Sequence, residues 1–209
     1  MKQALILDLD NTIYPVRSIG EELFAPLFEL MNKHKGDISK EDFEQAREDI
    51  MRRPFQKVAQ DYHFSNELTQ QGLELLRNAT YEGPMAPFPD YQTIKSIRAE
   101  KFLVTTGFLK LQSSKVDKLG IRNDFREIYI IDPDTTEKTK KDIFADILEK
   151  YGLQAEEVLV VGDDPESEIE AAAALRIDSF LYDPEERSTG ARSTYRGRDF
   201  QQLLSLFSD

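Results

Sequence analysis

Two acidic pairs stand where apolar runs end, and carboxylates placed there can do phosphoryl-transfer and metal chemistry. Asp8 and Asp10, in Asp8-Leu9-Asp10-Asn11-Thr12, follow Ala4-Leu5-Ile6-Leu7. Asp163 and Asp164 follow Val158-Leu159-Val160-Val161-Gly162. Where a strand gives way to a turn, side chains two residues apart can both approach one site. A carboxylate can attack phosphorus and form an aspartyl-phosphate. A second carboxyl can protonate the leaving oxygen and then activate water. A bare Asp-x-Asp is more often a pair of solvated turn aspartates, so the reading rests on the rest of the pattern. Like charges held together repel unless a cation neutralises them, and carboxylates with few nitrogen or sulfur ligands nearby suit Mg²⁺.

Two further segments add to these, and the second acidic pair extends toward Glu168. Lys101-Phe102-Leu103-Val104-Thr105-Thr106-Gly107 reads as a strand ending in a hydroxyl and a glycine, with a helix starting near Phe108. A hydroxyl and free backbone N–H groups at a helix start can cradle phosphate. Strand-Thr-Gly turns also occur for conformational reasons alone. In Glu137-Lys138-Thr139-Lys140-Lys141-Asp142-Ile143-Phe144, a basic cluster opens a helix expected over residues 139–151. Cations there oppose the helix dipole, so one of them is expected to serve a site. Spacing to Ile143-Phe144 favours Lys138. In Gly162-Asp163-Asp164-Pro165-Glu166-Ser167-Glu168, Asp163 is the candidate metal ligand. Asp164 and Glu168 are candidates to hold the lysine or metal-bound waters. Glu166 reads as an ordinary acidic helix start.

These segments need a scaffold that gathers strand ends. Apolar runs at residues 4–9, 102–105, 127–131, 158–161 and 177–182 alternate with helix-period segments, the βαβ signature of a doubly wound parallel α/β sheet. In such sheets ligands bind at the carboxyl ends of the strands. The gap between the first two strands reads mostly as helix: 18–33, a helix capped by Ser39, then 54–62 and 66–78. The proline-rich stretch from Gly83 to Asp90 follows, and a helix over 90–99 leads back to the sheet. The expected organisation is a core of residues 1–13 and 88–209 with an inserted helical subdomain, 14–87. Arg187 to Arg198 reads as a polar loop whose arginines balance charge locally, and residues 200–207 as a closing amphipathic helix.

The 209-residue chain carries a net charge of −12, which argues against a general nucleic-acid or anionic-membrane surface. A small anionic substrate remains compatible, because a metal and a lysine can reverse the local field. Without cysteine there is no disulfide, thiol nucleophile or Cys-based zinc site, and two histidines make a His-rich metal site implausible. The first apolar run is too short for a signal segment or a membrane span, so a cytoplasmic location is expected. Oligomeric state, monomer or homodimer, stays open.

In this order and on these strand ends, the four segments resemble the haloacid dehalogenase-like (HAD) superfamily. The likeness covers the whole chain, since the helical insert sits where that family places its C1 cap. The resemblance implies Asp8 as nucleophile and Asp10 as general acid and base. It implies that Thr105 and the backbone amides of Asp10, Thr106 and Gly107 hold the phosphoryl group, with Lys138 stabilising its charge. Mg²⁺ would bind the Asp8 carboxylate, the Asp10 carbonyl oxygen and Asp163. Two positions depart from the family pattern. Thr139 stands where proline commonly follows the lysine, which leaves Lys140 or Lys141 as alternatives for the role. Glu168 stands where the fourth motif usually has Asp.

Dehalogenases of the superfamily lack the second aspartate, so Asp10 implies a Mg²⁺-dependent phosphomonoesterase. Asn11-Thr12-Ile13-Tyr14-Pro15 and Thr105-Thr106-Gly107-Phe108 resemble segments of pyrimidine 5′-nucleotidase-like members. The expected substrate is a small phosphorylated metabolite, with a nucleoside 5′-monophosphate as one form. A sugar-phosphate phosphatase, a phosphomutase and a non-catalytic HAD-like binding protein are the alternatives. Arg17, Arg52, Arg53, Lys57 and His63 are candidate contacts from the insert, with Phe24, Phe28, Phe55 and Tyr62 as wall residues. Aromatics so spaced on amphipathic helices are more often core.

Overall fold

The computed structural model describes residues 2–34, 38–188 and 190–207; residues 1, 35–37, 189 and 208–209 of the expected core and insert lie outside it. The elements in chain order are β1 (Ala4–Leu7), α1 (Gly20–Leu23), α2 (Ala25–Lys33), α3 (Lys40–Ile50), α4 (Phe55–Asp61), α5 (Asn66–Asn78) and α6 (Tyr91–Ser96). There follow β2 (Glu100–Thr106), α7 (Leu109–Leu119), β3 (Glu127–Ile131), α8 (Lys140–Tyr151), β4 (Val158–Gly162), α9 (Glu170–Ala174), β5 (Asp178–Tyr182), β6 (Tyr195–Gly197) and α10 (Leu204–Phe207). No helix among the described residues is long and apolar enough to cross a membrane.

The strands form a six-stranded sheet in the order β3-β2-β1-β4-β5-β6, parallel throughout. β1 lies between β2 and β4, so the order reverses there and a crevice opens at the carboxyl ends of β1 and β4. Leu7 is in register with Val161, and the Asp8 N–H donates to the Val161 carbonyl at 3.0 Å. The distant acidic segments are thereby brought level on neighbouring strands.

Both central strands are continuous hydrophobic runs because the sheet is covered on both faces. Leu5, Leu7, Leu103, Leu159 and Val161 pack with α6 and α7, and the same core runs on into the helices of the insert through Leu27, Phe28, Met31, Phe43 and Phe55. Ile6, Phe102, Val104, Val158 and Val160 pack on the other face against Ile143, Phe144 and Ile147 of α8 and Ala171 and Ala172 of α9.

Three details differ from the sequence expectation. The helix expected over 18–33 is interrupted: α1 stops at Leu23, and α2 restarts with Pro26 in its first turn, where a missing N–H costs nothing. β1 closes at Leu7 rather than residue 9. The loop between Arg187 and Arg198 contains β6, an edge strand too short and polar to show by pattern. Its neighbourhood is tied by ion pairs of Arg187 with Glu185, Arg196 with Asp183 and Arg198 with Glu186. The proline-rich stretch has no regular structure, yet the Phe88 N–H returns to the Ile13 carbonyl at 2.8 Å, joining the two chain crossings that flank the insert.

α8 is started by a reciprocal capping box: Thr139 accepts from the Asp142 N–H, and Asp142 accepts from the Thr139 N–H at 2.7 Å. Thr139→Ala is expected to lower unfolding free energy by about 1 kcal/mol. Urea denaturation would check this, with the loss appearing as a lower midpoint at unchanged slope.

Candidate active site

Asp8 leaves β1 with its side chain buried, and its Oδ1 accepts from the Lys140 ammonium at 2.5 Å. The same ammonium donates to Glu168 Oε2 at 2.6 Å. Lys140 is the first residue of α8, placed there because Thr139 takes the cap. Lys140, Ile143, Phe144 and Ile147 are the buried face of that helix, so the cation rides on the apolar stripe and is carried under the sheet edge. The expectation for Lys138 is corrected here. Lys138 precedes the helix, its side chain is half exposed, and it pairs with Asp146 at 2.5 Å. The buried helical spacing of Lys140 was the signal that distinguished them.

Glu168 reaches Lys140 from a π-helical turn, Pro165–Ile169, between β4 and α9. Its Oε1 accepts the Asp164 N–H at 2.8 Å. Its carboxylate lies so close over β4 that a Cβ at position 162 would fall 2.1 Å from Oε1, so only Gly162 fits beneath it. Asp164 caps the same turn through the Glu166 N–H at 2.9 Å and does not touch the lysine. Asp163 receives the Thr12 hydroxyl at 3.5 Å.

Oxygens of Asp8, Asp163 and Glu168 lie within 4.8 Å of one another. Burial is the main cause that raises the Asp8 carboxyl to about 7, with Lys140 opposing it and Glu168 adding to it. Burial, then Glu168 and Asp8, push Asp163 well above the ordinary carboxylate range. Lys140 loses stability as a cation by burial, but Asp8 and Glu168 more than compensate and raise it. An all-oxygen, multiply acidic donor set of this kind fits Mg²⁺. Asp8 and Asp163 are the expected ligands; Glu168 belongs to the same cluster while also holding the lysine.

Asp10 is held differently. Its Oδ1 accepts from Lys115 at 2.8 Å and from the Tyr14 hydroxyl, and its Oδ2 accepts from Gln112 at 2.9 Å. Burial alone would raise the Asp10 carboxyl, but Lys115, Tyr14 and Gln112 together hold it below its ordinary value. Thr105 is buried at the end of β2, where its Oγ1 accepts from Gln112 at 2.7 Å. Gln112, Lys115 and Tyr14 were not anticipated as site residues. Leu111, Gln112, Lys115 and Val116 form the buried face of α7, so polar residues in register with an apolar stripe were again the available sign.

Asp8, Asp10, Thr105, Thr106, Gly107, Lys115, Lys140 and Asp163 line one cavity of about 400 Å³. The insert closes it with Phe24, Met51, Arg52, Arg53, Phe55 and Lys57. Arg17 and His63 do not reach this cavity; Arg17 pairs with Glu48, and Phe28 and Tyr62 also stand outside it. A larger groove of about 960 Å³ between α2 and α5 holds none of these groups. The arrangement therefore brings two carboxyls, a cation and a hydroxyl around one cavity, with an acidic cluster suited to a metal.

A family model of haloacid dehalogenase-like hydrolases matches residues 2–176. A glyceraldehyde 3-phosphate phosphatase of Methanopyrus kandleri is 26% identical, over 82% of this chain and 80% of its own. A ribulose-1,5-bisphosphate 5-phosphatase of Halopiger xanaduensis is 25% identical, over 97% of this chain and 93% of its own. Among solved structures, a haloacid dehalogenase-like hydrolase of Streptococcus pneumoniae superposes with a TM-score of 0.74 at 17% identity, covering 99% of each chain. The match across most of the chain, on a parallel sheet that gathers these carboxylates at its switch point, makes the chain an enzyme of the haloacid dehalogenase-like hydrolase family.

Proposed function

We propose that this hydrolase is a Mg²⁺-dependent phosphomonoesterase acting on a small sugar phosphate through an aspartyl-phosphate. The observation that carries the reading is the triad of Asp8, Lys140 and Glu168 beside Asp10 and Thr105 in one cavity. The Asp8 carboxylate attacks phosphorus and the ester P–O bond breaks; Asp10, ionised in the free site, relays the proton of the bound phosphate monoanion to the leaving oxygen. Asp10 then takes a proton from water as that water attacks the phosphoryl-aspartate. Inorganic phosphate leaves and Asp8 is regenerated. Lys140 offsets the charge of Asp8 and of the transferring phosphoryl, while Thr105 with the amides of Asp10, Thr106 and Gly107 holds its oxygens. Asp8, Asp163 and the Asp10 carbonyl would hold Mg²⁺, whose charge neutralises the phosphoryl oxygens.

The insert of residues 14–87 acts in this reading as a cap over the core of residues 1–13 and 88–209. Its support is the return of the chain at Phe88 to Ile13, and the cap's own contribution of Arg52 and Lys57 to the cavity. Sugar-phosphate substrates are favoured by the activities of both curated relatives. A nucleoside 5′-monophosphate is the second reading, favoured by the Phe24, Phe55 and Phe108 rings in the cavity wall.

Phosphate release across a panel of sugar phosphates and nucleotides, with Mg²⁺ or with EDTA, tests the reading. Release should need Mg²⁺, and Asp8→Asn should fall to background while retaining its circular dichroism. The absence of release from every compound by folded, Mg²⁺-loaded wild type would refute it. Lys140→Met should lower kcat by at least ~100-fold, in keeping with the loss of a charge-stabilising group. Lys138→Met should stay within about threefold, as for an exposed ion pair. Mg²⁺ at 100 times its Kd should stabilise wild type by ~2.7 kcal/mol, read as a higher Tm. Asp163→Asn should lose most of that rise.

A further inference from the structure

We propose that Lys115 and Gln112 are positioning residues that fix the Asp10 carboxyl in the active-site cavity. The inference rests on the phosphatase reading and adds a device that the expected motifs do not contain. Moving a proton between a carboxyl and a reacting oxygen requires the carboxyl to be held within hydrogen-bond reach and in the right direction. The ionised form, favoured by Lys115, Tyr14 and Gln112, is the one that takes a proton from the attacking water. A free aspartate on a turn would sample several rotamers. Here both oxygens of Asp10 are engaged: Oδ1 by Lys115 at 2.8 Å and by Tyr14, Oδ2 by Gln112 at 2.9 Å.

Each member of the clamp is itself fixed. Tyr14 is completely buried, and Lys115 is 4% exposed. Gln112 uses the two N–H bonds of its amide for Asp10 Oδ2 at 2.9 Å and Thr105 Oγ1 at 2.7 Å, with the Thr106 carbonyl at a longer 3.4 Å. It therefore sets the acid–base carboxyl relative to the hydroxyl that holds the phosphoryl group. Gly107 makes the approach feasible. Its φ of +152° suits glycine, and a Cβ there would lie 3.0 Å from Gln112 Cγ.

The fold alone does not call for this cation. Lys115 sits between Leu111 and Val116 on the buried face of α7. Among the described residues, Asp10 is the one carboxylate that its ammonium pairs with. A buried ion pair is often replaceable by an apolar side chain of similar volume at no loss of stability. Lys115 and Gln112 also line the same cavity as Asp8 and Asp10, where a purely structural pair would have no reason to be.

The test uses the full chain with Mg²⁺ and compares wild type with Lys115→Met, Gln112→Met, Lys115→Arg and Asp10→Asn. The substrates are the best alkyl phosphate from the panel and p-nitrophenyl phosphate, whose leaving group needs no proton. Steady-state kcat should fall 10- to 100-fold in Lys115→Met and in Gln112→Met, about what general acid–base catalysis contributes, with KM nearly unchanged. On p-nitrophenyl phosphate both should give a first-turnover burst of nitrophenolate within about threefold of the wild-type rate, followed by slow turnover, because only hydrolysis of the phosphoryl-enzyme needs the base. Lys115→Arg should recover part of the loss. Combined with Asp10→Asn, neither substitution should cost anything more, since both act through that carboxyl.

An undiminished kcat would overturn the proposal. So would a burst slowed as much as turnover, or losses that add to those of Asp10→Asn, since both describe a packing defect. A rise in KM alone would make Lys115 a substrate contact instead. Gln112→Met decides the matter independently if Lys115→Met does not fold. Wild-type inactivity on both compounds would overturn the phosphatase reading and the proposal together, whereas an active wild type with unaffected variants would overturn the proposal alone.

Discussion

The ammonium of Lys140 lies between the carboxylates of Asp8 and Glu168, and the local structure is arranged around that contact. Two buried carboxylates with a third, half-buried one nearby would repel strongly without a cation among them. Lys140 supplies one charge. It can do so because Thr139 ends the preceding loop as a helix cap and leaves Lys140 as the first residue of the buried helical stripe. On the opposite side the π-helical turn bends Glu168 back over Gly162, where no other residue would leave room. The remaining excess of negative charge is what makes the cluster of Asp8, Asp163 and Glu168 a fitting place for Mg²⁺.

Two lysines divide the labour. Lys140 pairs with Asp8, and Lys115 pairs with Asp10. They arrive from helices on opposite faces of the sheet, α8 and α7. Each cation enters from one side of the switch point and meets an aspartate at the carboxyl end of β1. Because β1 is flanked by β2 and β4, Thr105 and Asp163 stand on either side of the same strand end. The helices of the insert complete the cavity without a separate core, since their apolar faces continue the core of the sheet. The cavity therefore lies between the carboxyl ends of the parallel strands and a layer of helices.

The departures from the family pattern are accommodated by geometry. Glu168, longer than the usual Asp, spans to the lysine because its backbone sits in a π-helical turn. Thr139 closes the capping box with Asp142 at the start of α8, and the cation that meets Asp8 comes from Lys140, the residue after it.

Much of this protein was legible in its residues. The apolar runs gave most of the parallel strands, the carboxylates were placed at their ends, and Ser39 marked a helix start as a capping residue does. Asp8, Asp10, Thr105 and Asp163 were nominated by motif, and the structure brings them to one cavity. Tertiary structure decided which lysine turns inward: Lys138 precedes α8 and pairs with Asp146 in solvent, whereas Lys140 opens the buried stripe of α8 and meets Asp8 and Glu168. It also decided that Gln112, Lys115 and Tyr14 converge on Asp10, since contacts between residues so far apart depend on how α7 packs against the sheet. Local pattern encodes which face of an element is buried; it does not encode what the neighbouring element presents to that face, and the site is built from those meetings.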